Sequence, residues 1–115
     1  MSAREDLGIY LRACRRSAGS RQIDAATALG VDASQISRWE NGRQLPLQSR
    51  AKDLARVYGA DLEEMRAKIG AAWEEDADER AHAVDVMVET VNRSLSAMVP
   101  LLEEILKEVR RRPSR

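Results

Sequence analysis

The chain has 115 residues with 19 basic and 19 acidic side chains, so its formal charge is zero at neutral pH. This length supports one domain, or one domain with an appendage. Phe is absent and the aromatic side chains are two Trp and two Tyr. The core must therefore be built from aliphatic side chains and Ala, a composition that favours helices over strands.

The same composition excludes several classes of function. Cys14 is the one cysteine and His82 the one histidine, which leaves no zinc ligand set, intramolecular disulfide or nucleophile and base pair. We therefore expect no enzyme and no cofactor. No apolar run reaches the roughly 20 residues that span a bilayer, and MSAREDLG lacks the apolar core of a signal peptide. The expectation is a cytoplasmic protein with no membrane partner.

Glycine spacing divides the first 70 residues into five predicted helices. Five glycines follow apolar helical patterns at the place of a C-cap, namely Gly19, Gly30, Gly42, Gly59 and Gly70. The predicted helices cover residues 4–17, 21–29, 33–41, 47–58 and a segment from Asp61 to Gly70. No stretch alternates with period two, so no strand is predicted and the fold class is all-α.

Three of these helices have apolar residues at helical spacing that we expect to face the core. In the first helix they are Leu7, Leu11, Cys14 and Ala18. In the fourth, whose start Pro46 favours, they are Leu47, Ala51, Leu54 and Tyr58. In the fifth, with Asp61 as its N-cap, they are Leu62, Met65 and Ile69.

Residues 19–42 predict two short helices in close contact, which is the pattern of a helix-turn-helix. Ala25 and Ala26 are small enough to let the second of these helices approach, and Gly30 can take the positive φ that the turn needs. Val31 fills the angle between the two helices together with Ile36. Trp39 has the helical phase of Ile36, so we expect it in the core rather than stacked on a base.

Several motifs resemble the Cro/phage-repressor (XRE) family of helix-turn-helix DNA-binding proteins. They are LGxxLRxxR at residues 7–15, Gln22, LGV at 29–31, and ISRWENG at 36–42 followed by Pro46. The resemblance covers residues 7 to about 69. It departs from the family at Ala25, where Leu is usual, and at Arg21, which occupies the usual Ser/Thr cap. Ser20 is a candidate cap one residue earlier.

The resemblance implies a five-helix, lambda-repressor-like domain that holds double-stranded DNA with its second and third helices and binds two half-sites as a dimer. It also implies that Arg15 and Glu40 form an ion pair between the first and third helices. On the third helix, the face opposite Ile36 and Trp39 supplies the predicted base contacts: Ala33, Ser34, Gln35, Ser37 and Arg38.

Each residue type on that face suits a helix in the major groove. Ala33 can touch a thymine methyl group, the serine hydroxyls bond either base type, and Arg38 can pair bidentately with guanine. Gln35 can reach an adenine or a phosphate. For Arg38 the alternative is a phosphate contact or an ion pair with a nearby carboxylate.

Phosphate contacts are expected on both sides of this face. By resemblance they come from Gln22 and from the turn of Asn41 to Arg43, with Gln44 and Arg21 as additional donors. For Arg21 and Arg43 the alternative is simple solvation.

Residues 71–115 are predicted to be a helical dimerisation segment with a basic C-terminal tail. The segment carries 7 basic and 10 acidic side chains, against 12 and 9 in residues 1–70. Its apolar residues alternate spacings of four and three from Ala77 and Ala81 onward, which is a heptad seam. The expected dimer interface comprises Val84, Val88, Val91, Leu95, Met98, Leu102, Ile105 and Val109.

Two features leave the form of this segment open. Met87, Val99, Leu101 and Leu106 widen the apolar stripe beyond a two-stranded seam, which favours a bundle of more than two helices. Pro100 predicts a kink or a hairpin turn. The alternatives are therefore a coiled coil or a helical hairpin in a homodimer or higher homo-oligomer, and a helix folded back over the first domain.

The predicted function is a sequence-specific DNA-binding transcriptional regulator that binds a (pseudo)palindromic operator as a dimer. We expect repression rather than activation because it is the tendency of the family that the chain resembles. No residue of the sequence indicates it. The alternative is an antitoxin-type interaction module, whose C-terminal helices bind a partner protein while the DNA-binding domain regulates its own operon.

Overall fold

The computed structural model describes residues 2–111, and every regular element in that range is helical. The helices are α1 (Ala3–Ser17), α2 (Gln22–Leu29), α3 (Ala33–Glu40), α4 (Ala51–Tyr58) and α5 (Leu62–Arg111), with one 3₁₀ turn at Gln48–Arg50 before α4. The predicted all-α class with five helices is confirmed over these residues.

The chain divides into two compact units, and the boundary between them falls within α5. We call the unit that ends at Asp78 the head and the unit that begins at Glu79 the arm. The head has a continuous buried core, in which α3 packs against both α1 and α2. Its largest fully buried apolar side chains are Trp39, Leu7, Leu11, Ile36, Leu54, Met65 and Ile69.

Four of the five glycines predicted to end helices adopt left-handed backbone conformations, with φ between 64° and 70°. The prediction is wrong at Gly70, because α5 continues through that residue. The helix continues because residues beyond Gly70 also belong to the core. Ala72 is fully buried, and the Trp73 indole N–H donates to the Pro46 carbonyl at 2.8 Å.

Carboxylates in the same part of α5 hold the beginning of α1. The backbone N–H of Ala3 donates to Glu75 Oε2 at 2.7 Å, which satisfies a free donor in the first turn of α1. Arg4 donates to Asp76 Oδ1 at 2.7 Å and to the Gly42 carbonyl at 3.2 Å. These contacts join residues of α5 beyond Gly70 to the first helix of the head.

Two residues predicted to face the core are exposed. Leu47 is 59% exposed, because the chain after Pro46 is still extended at Leu47 (φ −68°, ψ 147°) and turns into α4 only after it. Ala18 is exposed because it is the C-cap of α1, where the helical face ends. The remaining predicted positions are buried, apart from Cys14 and Leu62, which are half-buried.

The arm is helical throughout its described residues, and the helix passes through Pro100. The hairpin turn considered for Pro100 is therefore wrong. Proline removes one backbone donor, and the following leucines and glutamates favour helix, so the helix resumes. Every described residue from 77 to 111 is exposed, including the seam residues. Residues 112–115, which make up most of the predicted basic tail, lie outside the described range.

Candidate nucleic-acid interface

The turn between α2 and α3 forms as the small residues predict. Ala25 and Ala26 are buried, which lets α3 cross close to α2. Gly30 ends α2 with φ 70°, and the Val31 N–H donates to the Ala26 carbonyl at 3.0 Å. Asp32 is the N-cap of α3, although its side chain makes no capping hydrogen bond. The two helices therefore have the arrangement of a helix-turn-helix.

Contacts with α1 fix the position of α3. A Cβ on Gly8 would collide with the carbonyl of Glu40, so the two helices approach as closely as glycine allows. The Arg15 guanidinium donates to both Glu40 carboxylate oxygens at 2.9 and 2.8 Å, and to the Ser20 carbonyl at 2.8 Å. The hydrogen bonds to Glu40 raise the pKa of Arg15. This buried pair confirms the ion pair that the family resemblance implied.

The outer face of α3 presents the predicted base-contact residues to solvent. Ser34 and Arg38 are exposed, and three neighbours are half-buried, namely Ala33, Gln35 and Ser37. Trp39 is 2% exposed, which confirms that it belongs to the core, and the Arg50 guanidinium lies 5.8 Å from its ring centre. The residues that could read DNA and those that hold the helix are thus on opposite faces.

Arg38 is held in place by one bond and keeps its terminal donors. Its Nε donates to Gln44 Oε1 at 3.1 Å. Neither terminal nitrogen has a partner within residues 2–111, and no carboxylate there pairs with this guanidinium. A fork with two free N–H₂ groups matches the O6 and N7 acceptors of guanine. The amide N–H₂ of Gln44 also remains available as a donor.

Ser37 belongs to a short hydrogen-bonded chain that sequence reasoning missed. Arg12 on α1 donates to Asn41 Oδ1 at 3.0 Å, and Asn41 Nδ2 donates to Ser37 Oγ at 3.2 Å. Arg12 also lies 3.5 Å from the Glu40 carboxylate. Because Ser37 Oγ accepts a bond here, its own hydroxyl proton is free to donate to a base. Arg12 lies one helical turn before Arg15, a spacing that could have signalled a second partner for the residues around Glu40.

The start of α2 differs from the capping expected there. The N-cap is Arg21, and the Ser20 hydroxyl lies against the Arg21 carbonyl instead, so the candidate cap at Ser20 is wrong. The Asp24 carboxylate caps the helix by accepting from the Arg21 backbone N–H at 3.0 Å, as well as from its guanidinium. These bonds lower the pKa of Asp24. The charge of Arg21 is thereby paired, and Gln22 is the first residue of α2.

Arg43 lies in the turn after α3, with an exposed side chain. Its backbone N–H donates to the Arg38 carbonyl at 2.9 Å, so the main chain is fixed while the guanidinium has no partner within the described part of the chain. Asn41, the C-cap of α3, is also exposed. Two free cationic groups, Arg38 and Arg43, thus lie on and just beyond the same short helix.

No group of His, Cys, Asp or Glu in the described range could hold a metal ion. No helix within residues 2–111 is long and apolar enough to cross a membrane.

A short helix with a polar exposed face, fixed behind a closely packed partner helix, defines a helix-turn-helix DNA-binding domain. The family model for a helix-turn-helix domain matches residues 6–67, which is more than half of the chain. The chain therefore belongs to the helix-turn-helix family, in the Cro/phage-repressor (XRE) type that its motifs resemble.

Two solved structures are similar to this chain, and both are of the clp gene regulator ClgR from Corynebacterium glutamicum. One is 25% identical and covers 73% of this chain and 90% of the other, with a TM-score of 0.54. The second is 24% identical and covers 61% of this chain and 91% of the other, with a TM-score of 0.53. No curated protein matches the sequence.

Proposed function

We propose that this DNA-binding regulator is a cytoplasmic repressor that binds a palindromic operator as a dimer. Its two heads place α3 in successive turns of the major groove. The observation that carries the proposal is the exposed face of α3, where the free fork of Arg38 and the serine hydroxyls lie opposite a fully buried face. A dimer on an operator represses by occupying DNA that polymerase needs.

Within this proposal the residues of α3 are readers, and residues at the start of α2 and after α3 are clamps. The readers contact base edges: Ala33, Ser34, Gln35, Ser37 and Arg38. The clamps contact phosphates on either side of the groove: Arg21, Gln22, Asn41, Arg43 and Gln44. Readers supply specificity, whereas clamps fix the register of α3 and supply affinity that is independent of sequence.

The exposed seam of the arm supports the dimer. Its apolar side chains are about half exposed, and a continuous apolar stripe of this length marks an interaction surface. The proposed interface comprises Val84, Val88, Val91, Leu95, Met98, Leu102, Ile105 and Val109. Linking two heads raises operator affinity by roughly 100-fold or more through effective concentration.

The width of the same stripe supports a second candidate function. Met87, Leu101 and Leu106 lie beside the seam and are also exposed, so the apolar surface is wider than a two-stranded seam needs. That surface suits an antitoxin-type module, in which the arm covers a partner protein while the head regulates its own operon. A defined second protein bound to the arm in a purified complex would favour this function.

The test of the repressor proposal separates a reader from a clamp. Arg38→Ala should weaken the free energy of binding to the operator by about 1–3 kcal/mol per half-site, and should weaken binding to scrambled DNA much less. The reason is that the lost hydrogen bond is to a base edge. Arg43→Ala should weaken binding to both duplexes alike and lower the slope of log affinity against log salt by about one unit per half-site. The measurement is a salt titration of both variants on both duplexes.

Arg56→Ala is the control, because Arg56 is an exposed arginine of α4 that pairs with Asp53, outside the helix-turn-helix. It should leave both affinities unchanged. If Arg38→Ala weakens binding to both duplexes equally and flattens the salt slope, Arg38 is a phosphate clamp. Specificity would then rest on Ser34, Gln35 and Ser37.

A further inference from the structure

The seam residues of the arm are graded in size along the helix. Before the midpoint of the seam they are small, namely Ala81, Val84, Val88 and Val91. After the midpoint they are larger, namely Leu95, Met98, Leu102 and Ile105, and the seam ends at Val109. All but Ala81 are large apolar side chains that are about half exposed, so the gradient lies on a surface that has no cover within the described chain.

This gradient distinguishes the two ways in which a second copy can pair. Antiparallel arms centred between Val91 and Leu95 align the whole seam without a gap. The resulting layers join each residue to one of the second copy: Ala81 to Ile105, Val84 to Leu102, Val88 to Met98, and Val91 to Leu95. Every layer then contains one smaller and one larger side chain.

Parallel arms would give a seam of uneven thickness. Ala81 would meet Ala81 of the second copy at one end, and Leu102 would meet Leu102 at the other. A helix pair at constant separation would leave a void around the alanines or crowd the leucines. Both outcomes destabilise a close-packed interface.

One edge of the seam is also compatible with this orientation. In antiparallel pairing each edge meets the same edge of the second copy, which places Arg80 beside Glu108, and Met87 beside Leu101. Ser94 then faces Ser94 of the second copy at the centre. Charges and apolar groups are thus matched along this edge. The other edge, where Asp85 lies beside Val99, contributes no charge pair.

The distribution of charge agrees with this pairing. Residues 79–92 carry three acidic side chains and one basic, residues 94–111 carry three of each, and Arg93 lies at the centre between them. Antiparallel pairing places each acidic half beside a neutral one.

We propose that the arm pairs with a second copy of this chain in antiparallel orientation, with Ala81 against Ile105 and Val91 against Leu95. The inference rests on the dimer of the proposed function and specifies its geometry. The two Ala81 residues would lie about 36 Å apart at the helical rise of 1.5 Å per residue. The heads would therefore join the paired arms at opposite ends rather than side by side.

The test is disulfide cross-linking in the full-length chain, with Cys14→Ala removing the native thiol. Three variants are compared: Ala81→Cys alone, Ile105→Cys alone, and both together. A disulfide requires Cα atoms within about 7 Å. Antiparallel arms should leave each single variant uncross-linked and convert the double variant to a covalent dimer under mild oxidation. Peptide mass mapping should then show position 81 joined to position 105.

Cross-linking of either single variant would overturn the antiparallel assignment in favour of parallel arms. Absence of cross-linking in the double variant would overturn it as well. Operator binding by the reduced double variant is measured separately. Antiparallel disulfides without operator binding would refute the proposed function alone, whereas operator binding with parallel disulfides would refute this inference alone.

Discussion

The head and the arm use the same kinds of apolar side chain in opposite ways. In the head, the core side chains are at most 7% exposed, whereas those of the arm are between 48% and 65% exposed. The head thus buries its apolar surface within one chain, which is the condition for independent folding. The arm leaves its apolar surface exposed within the described chain, and the proposed pairing of two arms would bury it.

The largest effect is expected from a charge at the centre of the arm. Leu95→Asp should raise the dissociation constant of the dimer about 1000-fold. Burying each of the two carboxylates in an apolar layer weakens the free energy of dimerisation by about 2 kcal/mol. The head should stay folded, since none of its core residues changes. Sedimentation equilibrium measures the dimer, and circular dichroism with heating measures the head.

Ser96→Asp is the matched control for this substitution. It introduces the same charge one residue further along the helix, outside the seam. The dimer should survive it. If Leu95→Asp leaves the dimer intact at micromolar concentration, the seam does not hold the two copies together.

The structure explains which parts of the head the sequence could predict. Gly30, Gly42 and the other two glycines with positive φ mark helix ends, because the chain needs a left-handed backbone conformation there. This requirement depends only on neighbouring residues in the sequence. Gly70 carries the same local signal, yet α5 continues through it because Ala72 and Trp73 pack on the head. Partners so distant along the chain leave no local pattern.

The second prediction concerns this boundary between head and arm. A fragment that ends at Asp78 should keep the stability of the head, whereas one that ends at Gly70 should be less stable by about 3 kcal/mol or more. The shorter fragment loses the burial of Ala72 and Trp73 and the ion pair between Arg4 and Asp76. Urea unfolding followed by circular dichroism gives both free energies.

A point variant in the longer fragment sharpens this test. Trp73→Ala should lose much of the same free energy, because the indole ring and its bond to Pro46 account for a large part of the contact. Equal unfolding midpoints for the two fragments would mean that the head is complete at Gly70.

For the candidate interface, the sequence predicts which residues of α3 are exposed but not every contact that they make. Helical phase alone separates the exposed Ser34 and Arg38 from the buried Ile36 and Trp39. It does not show that Arg12 reaches Asn41 from another helix, or that Asp24 pairs with Arg21. The first contact depends on how α1 and α3 cross, and the second on the rotamers that Arg21 and Asp24 adopt at the start of α2.

The smallest expected effect tests the orientation of the arms through their charges. Arg80→Glu should raise the dissociation constant of the dimer about 2- to 30-fold, because exposed ion pairs contribute roughly 0.2–1 kcal/mol each and two are lost. The double variant Arg80→Glu/Glu108→Arg should restore the dimer, since antiparallel arms place positions 80 and 108 side by side. The effect should fade as salt is raised.

The matched control is Arg80→Glu/Asp85→Arg, because parallel arms would place position 80 beside position 85 of the second copy. Antiparallel arms predict that this pair of changes restores nothing. Restoration by the change at Asp85, without restoration at Glu108, would require parallel arms and would bring both heads to one end of the seam. The charge swap thus decides the separation of the heads without any change in the apolar layers.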